Sequence, residues 1–81
     1  MFYVYVLRCR DGSLYTGYTN DLKRRLRMHN DGKASRYTRS RLPVDIVAKW
    51  TFPSKPEAMK HETAFKSLSR KLKIEKIKSI S

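Results

Sequence analysis

An α/β (α+β) fold is expected for this chain: a small three-stranded antiparallel sheet flanked by helices. Three observations lead there. Two β-rich runs, residues 2–8 and 14–19, are separated by Arg10-Asp11-Gly12-Ser13, a turn-forming tetrad that predicts a hairpin. A 3.6-periodic basic segment follows, bounded by Thr19-Asn20-Asp21 and Asp31-Gly32. A third apolar run, about 44–52, is then succeeded by Ser54-Lys55-Pro56-Glu57, a capping-box signature with proline in the first turn.

Each element has its own local reason. Alternation in Phe2-Tyr3-Val4-Tyr5-Val6-Leu7 puts Tyr3, Tyr5 and Leu7 on one face of the first strand. Tyr15, Gly17 and Thr19 share a face of the second, and a register with Tyr5 and Tyr15 on the same side is expected. Thr19 or Asn20 is expected to cap the first helix, with Asp21 placed favourably against its dipole, and Gly32 to supply the left-handed C-terminal cap. At about 100° per residue, Leu22 and Leu26 form the buried stripe of that helix. Arg25 and His29 lie beside it at the border between core and solvent, while Lys23, Arg24 and Arg27 point outward. Residues 32–42 read as a basic, hydroxyl-rich loop. The next helix is expected to run to about residue 70 with Ala58, Phe65, Leu68 and Leu72 inward and Glu62 at the edge of that stripe. A short amphipathic helix from Leu72 to Ile80 should pack its isoleucines on the sheet.

Length and composition narrow the functional classes. Eighty-one residues make one small domain, expected over 1–81. No run approaches the ~20 apolar residues of a membrane span, and the N-terminus lacks the pattern of a secretory signal. The single cysteine, Cys9, excludes an internal disulfide and a thiolate metal cluster and suits a reducing cytoplasm, the expected location. Nineteen Lys and Arg against seven Asp and Glu give +12, with a pI near 10.3. Residues 20–41 carry eight basic and two acidic side chains, net +6, and residues 54–81 eight and three, net +5. Such an excess attracts polyanions with strongly salt-dependent affinity. An anionic membrane is the weaker partner, because the basic helices lack a bulky aromatic face. Arg24, Arg27, Lys33, Arg36, Tyr37, Arg39 and Arg41 are the expected nucleic-acid contacts, cations for phosphates and one ring for stacking.

Tyr5, Tyr15, Arg25 and His29 are groups that a hairpin feeding a helix can gather at one spot, and two phenols, a guanidinium and an imidazole suit phosphodiester chemistry. The ordered set resembles the GIY-YIG nuclease superfamily, whose signature is a Gly-Ile-Tyr strand, a Tyr-Ile-Gly strand about ten residues later, and a helix with a key arginine. Tyr3-Val4-Tyr5 stands at the first position, Tyr15-Thr16-Gly17 at the second, and Arg25 on the helix. Glu57-Ala58-Met59-Lys60-His61-Glu62 is similar to the segment carrying the family's metal-binding glutamate. The likeness covers nearly the whole chain and is greatest to small stand-alone bacterial members.

The resemblance implies roles. Tyr5 becomes a general base or water-orienting group, with an arginine or metal-bound water favouring its phenolate character. Tyr15 supports that network or meets the phosphate, and Arg25 binds the scissile phosphate in a fork lysine cannot form. His29 bonds the phosphate or relays a proton, and Glu62 holds Mg²⁺ (or Mn²⁺). Gly17 permits close packing behind the site. Tyr3 and Tyr18 are left as packing residues, and His61 as locally satisfied. The first glycine of the signature is Tyr3 here, the central isoleucine of the second triad is Thr16, and no asparagine follows Asn30. An endonuclease acting on branched or distorted DNA is expected. The alternatives are a non-catalytic basic binder of DNA or RNA on the same scaffold, and a domain activated by an accessory protein.

Overall fold

The structure, a computed structural model, describes residues 1–80; Ser81, the last residue of the expected domain, lies outside the described residues. Its elements are β1 (Phe2–Arg8), β2 (Leu14–Thr19), α1 (Leu22–Asn30), α2 (Arg36–Arg39), β3 (Asp45–Phe52), α3 (Lys55–Lys66) and α4 (Arg70–Ile80). The three strands form one antiparallel sheet in the order β2-β1-β3. Gly12, at φ +85°, closes the turn between β1 and β2.

Pairing of Tyr5 with Gly17 and of Leu7 with Tyr15 puts these four residues on one face, as the alternation requires. Tyr5, Leu7, Cys9 and Val44 form a buried cluster there against Leu22 and Leu26 of α1. The opposite face packs Val6 and Ala48 against Phe65 of α3 and Ile77 of α4. Between Val6 and Leu7 the register on β3 slips by one residue, from Ala48 to Ile46. Val47 is the extra residue, and it joins Ala48 in the second cluster.

Local chemistry changes several expected boundaries. Asp21, not Thr19 or Asn20, caps α1: its carboxylate accepts from the Arg24 amide, while the Thr19 hydroxyl oxygen accepts from the Asp21 amide. The other end of α1 is as expected. Gly32 adopts φ +73°, and the amides of Gly32 and Lys33 bond the carbonyls of His29 and Met28. The expected 32–42 loop contains the short helix α2, started by Ser35, whose hydroxyl oxygen accepts from the Tyr37 amide. Ser54 precedes α3 but caps no amide; its hydroxyl donates to Glu57 instead, so the capping box closes side chain to side chain. The expected helix to residue 70 ends at Lys66, because Ser69 starts a new one by accepting from the Leu72 amide. That break turns Leu72 outward, 46% exposed, instead of inward with Ala58 and Phe65. Of the C-terminal isoleucines, Ile77 packs on the sheet cluster and Ile80 is exposed.

Candidate active site

Where β1, β2, α1 and α3 approach one another, a cavity of about 500 Å³ opens, and Tyr5, Tyr15, Gly17, Arg25 and Glu62 all line it. Gly17 is what lets Tyr5 lie there. A Cβ on Gly17 would stand 2.6 Å from the Tyr5 hydroxyl oxygen and 2.8 Å from Cζ, closer than side-chain carbons tolerate. The phenol therefore occupies the space a side chain at position 17 would fill.

Tyr5 is 1% exposed, and its oxygen is held from two sides. It lies 3.0 Å from His29 Nε2 and accepts a long 3.4 Å bond from Arg25 Nε. His29 Nδ1 is 2.9 Å from the Thr38 hydroxyl oxygen, and that hydroxyl donates to the Ser35 carbonyl at 3.3 Å. A Thr38 hydrogen given to Ser35 leaves its oxygen to accept from His29, the arrangement in which Nδ1 carries the imidazole hydrogen. In that tautomer Nε2 is the acceptor for the Tyr5 hydroxyl. The resulting chain runs from Arg25 through Tyr5, His29 and Thr38 to Ser35, joining β1, α1 and α2.

Burial shapes the acid–base properties of these groups. It pushes the Tyr5 phenol above its ordinary value of 10.0, outweighing the opposing hydrogen bond from Arg25. In the free protein Tyr5 is thus a neutral phenol at pH 7, and the bond from Arg25 does not by itself favour its phenolate. His29 is lowered from 6.5 to about 4, first by desolvation and then by the Arg25 charge. It is neutral at pH 7 and fully buried, the deepest residue of α1. The expected border position holds for half-buried Arg25 and fails for His29. Because both ring nitrogens find buried partners, the helix can turn this polar side chain inward. No direct contact between His29 and a phosphate is open to it.

Glu62 reaches the cavity with only 15% of its side chain exposed and lies 3.6 Å from Lys66 Nζ, one helical turn on. It is the only carboxylate lining that cavity, and no group of three or more His, Cys, Asp and Glu is placed to hold a metal among the described residues. Such a donor set does not fit a complete protein cage. It fits a hard cation of the magnesium type, held through one carboxylate and completed by substrate oxygens and water.

The remaining expected contacts divide. Arg24, Arg27, Lys33, Arg36 and Arg39 are exposed. Arg41 is not a free cation: it bonds the Asp11 carboxylate at 3.0 Å and the Tyr37 carbonyl at 2.8 Å. Its guanidinium also lies 4.0 Å from the centre of the Tyr37 ring, which stacks on Tyr15 at 6.0 Å. Tyr37 keeps 39% exposure, with its ring in contact with both Arg41 and Tyr15. Tyr18 and Lys55, read from sequence as a packing residue and part of a cap, line the cavity. Thr38 carried no sequence signal beyond its hydroxyl, since only the α2 turn brings it to His29. His61 is not satisfied locally: its Nε2 is buried without a hydrogen-bond partner among the described residues, beside the Trp50 and Phe52 rings.

Among the described residues no helix is long and apolar enough to cross a membrane. The GIY-YIG catalytic domain family matches residues 1–78. A UPF0213 protein of Streptococcus agalactiae is 55% identical over 76 residues, 94% of this chain and 86% of the relative. Another, from Bacillus licheniformis, is 59% identical over 71 residues, 88% and 73% of the two chains. The solution NMR structure of a UPF0213 protein from Bacillus halodurans superposes with a TM-score of 0.61 at 52% identity, covering all of this chain and 86% of that one. A solution NMR structure from E. faecalis gives 0.65 at 45% identity, with coverage of 96% and 83%. With the tyrosine-bearing hairpin, the arginine helix and a profile match across nearly its full length, this chain belongs to the GIY-YIG family of nuclease domains.

Proposed function

We propose that the protein is a metal-dependent endonuclease that hydrolyses phosphodiesters in branched or otherwise distorted DNA within the cytoplasm. The observation that carries this is the convergence of two phenols, a guanidinium and a carboxylate on one cavity, with Arg25 and His29 both bonded to the Tyr5 oxygen. Tyr5, Tyr15, Arg25, His29 and Glu62 are the residues assigned to the reaction, and Gly17 to its architecture.

The chemistry follows from the hydrogen-bond directions. Because the Tyr5 hydrogen points to His29 Nε2, a lone pair on its oxygen is free for the attacking water. As the water oxygen bonds to phosphorus, the water gives a proton to Tyr5 and Tyr5 gives its own to His29. The bond from phosphorus to the leaving sugar oxygen breaks, and that oxygen takes a proton from solvent. Arg25 offsets charge on the phosphate oxygens with its planar fork. Burial is the larger reason His29 resists protonation; phosphate bound to Arg25 offsets the smaller one, the positive field of that guanidinium, so the relay becomes somewhat easier once substrate is present. Glu62 is the side chain assigned to hold the divalent ion, Mg²⁺ or Mn²⁺, which when bound supplies Lewis-acid stabilisation of the phosphate. Exposed Arg24, Arg27, Lys33, Arg36 and Arg39 supply contacts that read backbone and shape.

The test is incubation of purified protein with labelled branched and duplex DNA, with and without Mg²⁺. Metal-dependent cleavage of branched DNA, lost in folded Arg25→Ala and Glu62→Ala, is the expected result. Tight, salt-sensitive binding with no strand scission by the unaltered protein would favour a non-catalytic nucleic-acid binder, and cleavage appearing only with an added cell fraction would favour an accessory partner.

A further inference from the structure

Thr38 takes no part in the roles carried over from the family signature, yet it is fully buried and ends a chain of polar contacts that starts at the candidate site. We propose that Thr38 is a positioning residue: by accepting from His29 Nδ1 it fixes one imidazole tautomer, which forces the Tyr5 hydroxyl to point at Nε2 and turns a lone pair of its oxygen toward the cavity. The proposal rests on the nuclease reading for its catalytic consequence and on geometry alone for the tautomer.

The geometry leaves little freedom. The Thr38 oxygen has one hydrogen; when it goes to the Ser35 carbonyl at 3.3 Å, the 2.9 Å contact with His29 is made by a hydrogen on Nδ1. Both residues have 0% exposure, which keeps solvent from replacing either bond. The rings of Tyr5 and Tyr15 meet the imidazole edge-on at 5.8 and 5.1 Å and restrain its rotation. Were the tautomer reversed, Nε2 would carry the hydrogen and donate it to Tyr5. The phenol would then accept from both His29 and Arg25 and present its own hydrogen, not a lone pair, to the attacking water. A base would become a donor without any atom moving far.

The arrangement also ties substrate recognition to the reaction centre. Thr38 is flanked by Tyr37 and Arg39 on α2, and Ser35 caps that helix. The segment expected to meet nucleic acid therefore carries the group that sets the Tyr5 hydrogen.

The experiment compares the unaltered protein with Thr38→Val and Thr38→Ser. Imidazole nitrogen shifts from ¹⁵N NMR at pH 7 should show His29 with hydrogen on Nδ1 and a bare Nε2. In Thr38→Val the hydrogen should move to Nε2, and in Thr38→Ser it should stay on Nδ1. Cleavage of branched DNA should fall about 10- to 100-fold in kcat in Thr38→Val with KM little changed, an effect on proton transfer and not on binding. Thr38→Ser should lie within about threefold of the unaltered rate. Hydrogen on Nε2 in the unaltered protein overturns the proposal, whatever the activity. So does a Thr38→Val protein that keeps the Nδ1 hydrogen, or that changes tautomer and cleaves at the normal rate. Should the unaltered protein cleave nothing, the nuclease reading fails separately, and the nitrogen shifts still decide what Thr38 does to His29.

Discussion

Acid should destabilise this fold well above the pH at which carboxylates titrate, and His29 is the reason. Its imidazole has 0% exposure, and its lowered value of about 4 compares with 6.5 in an unfolded chain. The sign follows from proton binding. Between about pH 6.5 and 4 the unfolded chain takes up a proton at this site and the folded protein does not, so stability falls as pH falls. Full stabilisation is present above 6.5 and is lost through that window. Linkage puts the loss at about 1.4 kcal/mol by pH 5.5, about 2.5 by pH 4.5 and about 3 by pH 4. Against a typical total of about 5–15 kcal/mol for a folded domain, that is a large share. Protonation removes the Nε2 lone pair that accepts from Tyr5 and sets a second cation beside Arg25.

Urea unfolding followed by the single tryptophan, Trp50, at pH 7, 5.5 and 4.5 measures the loss. His61 is also lowered by burial and contributes in the same direction, so the informative quantity is the difference from His29→Gln. That variant should lose about 2.5 kcal/mol less than the unaltered protein between pH 7 and 4.5. An NMR titration of the His29 ring gives the same quantity without a variant. Equal losses in the two proteins, or a His29 ring that titrates above pH 6, would refute the reasoning.

Gly17→Ala should lower stability by about 1–3 kcal/mol, because the new methyl would meet the Tyr5 hydroxyl at 2.6 Å. It should also cut cleavage on the order of tenfold or more by displacing that oxygen; a urea midpoint and rate equal to those of the unaltered protein would show that Tyr5 has room to move. Five exposed cations, Arg24, Arg27, Lys33, Arg36 and Arg39, predict a loss in DNA affinity of about 500-fold between 50 and 200 mM salt. Fluorescence anisotropy reads the slope, which should drop by about two in an Arg36→Ala/Arg39→Ala protein and change little in Arg41→Ala, whose guanidinium is held by Asp11 and Tyr37. The pH–rate profile should be level from about pH 7 to 9 when Tyr5 passes a shared proton. A rate climbing tenfold for each pH unit would instead indicate a phenolate base.

The hairpin, its register and the helix that carries Arg25 were legible in the sequence because each is fixed by local rules. Period-2 alternation decides which face Tyr5 and Tyr15 share, and Gly32 decides where α1 stops. Misread features were those decided by contacts between distant residues. His29 looked like a border residue, because helical periodicity ranks it against Leu22 and Leu26 and knows nothing of the partners waiting in Tyr5 and Thr38. Ser69 ended a helix that periodicity alone would have continued through Leu68 and Leu72. Arg41 counted as a phosphate contact by its charge, while the fold placed Asp11 beside it from the opposite end of a thirty-residue separation. Convergence of Glu62 on the cavity was anticipated from family likeness and not from its helical angle, which put it only at the edge of the α3 core face.

The burial of Tyr5 favours one of two ways of activating water in the proposed reaction. A phenolate would need the buried phenol to lose its proton at a cost set by a pKa above 10, so fewer than about one molecule in a thousand would be poised at pH 7. Arg25 alone does not reverse this, since its bond to the phenol is long and desolvation dominates. Handing the proton on to His29 avoids the charged phenol altogether. Its difficulty is different: His29 resists protonation, first because it is buried and second because the Arg25 charge lies nearby. In the proposed reaction a phosphodiester bound at Arg25 would offset the second of these, so substrate binding would raise the basicity of the relay. Burial itself is untouched by that charge, so the gain is confined to the part of the lowering that Arg25 causes, and His29 stays a weak base unless a phosphate is present.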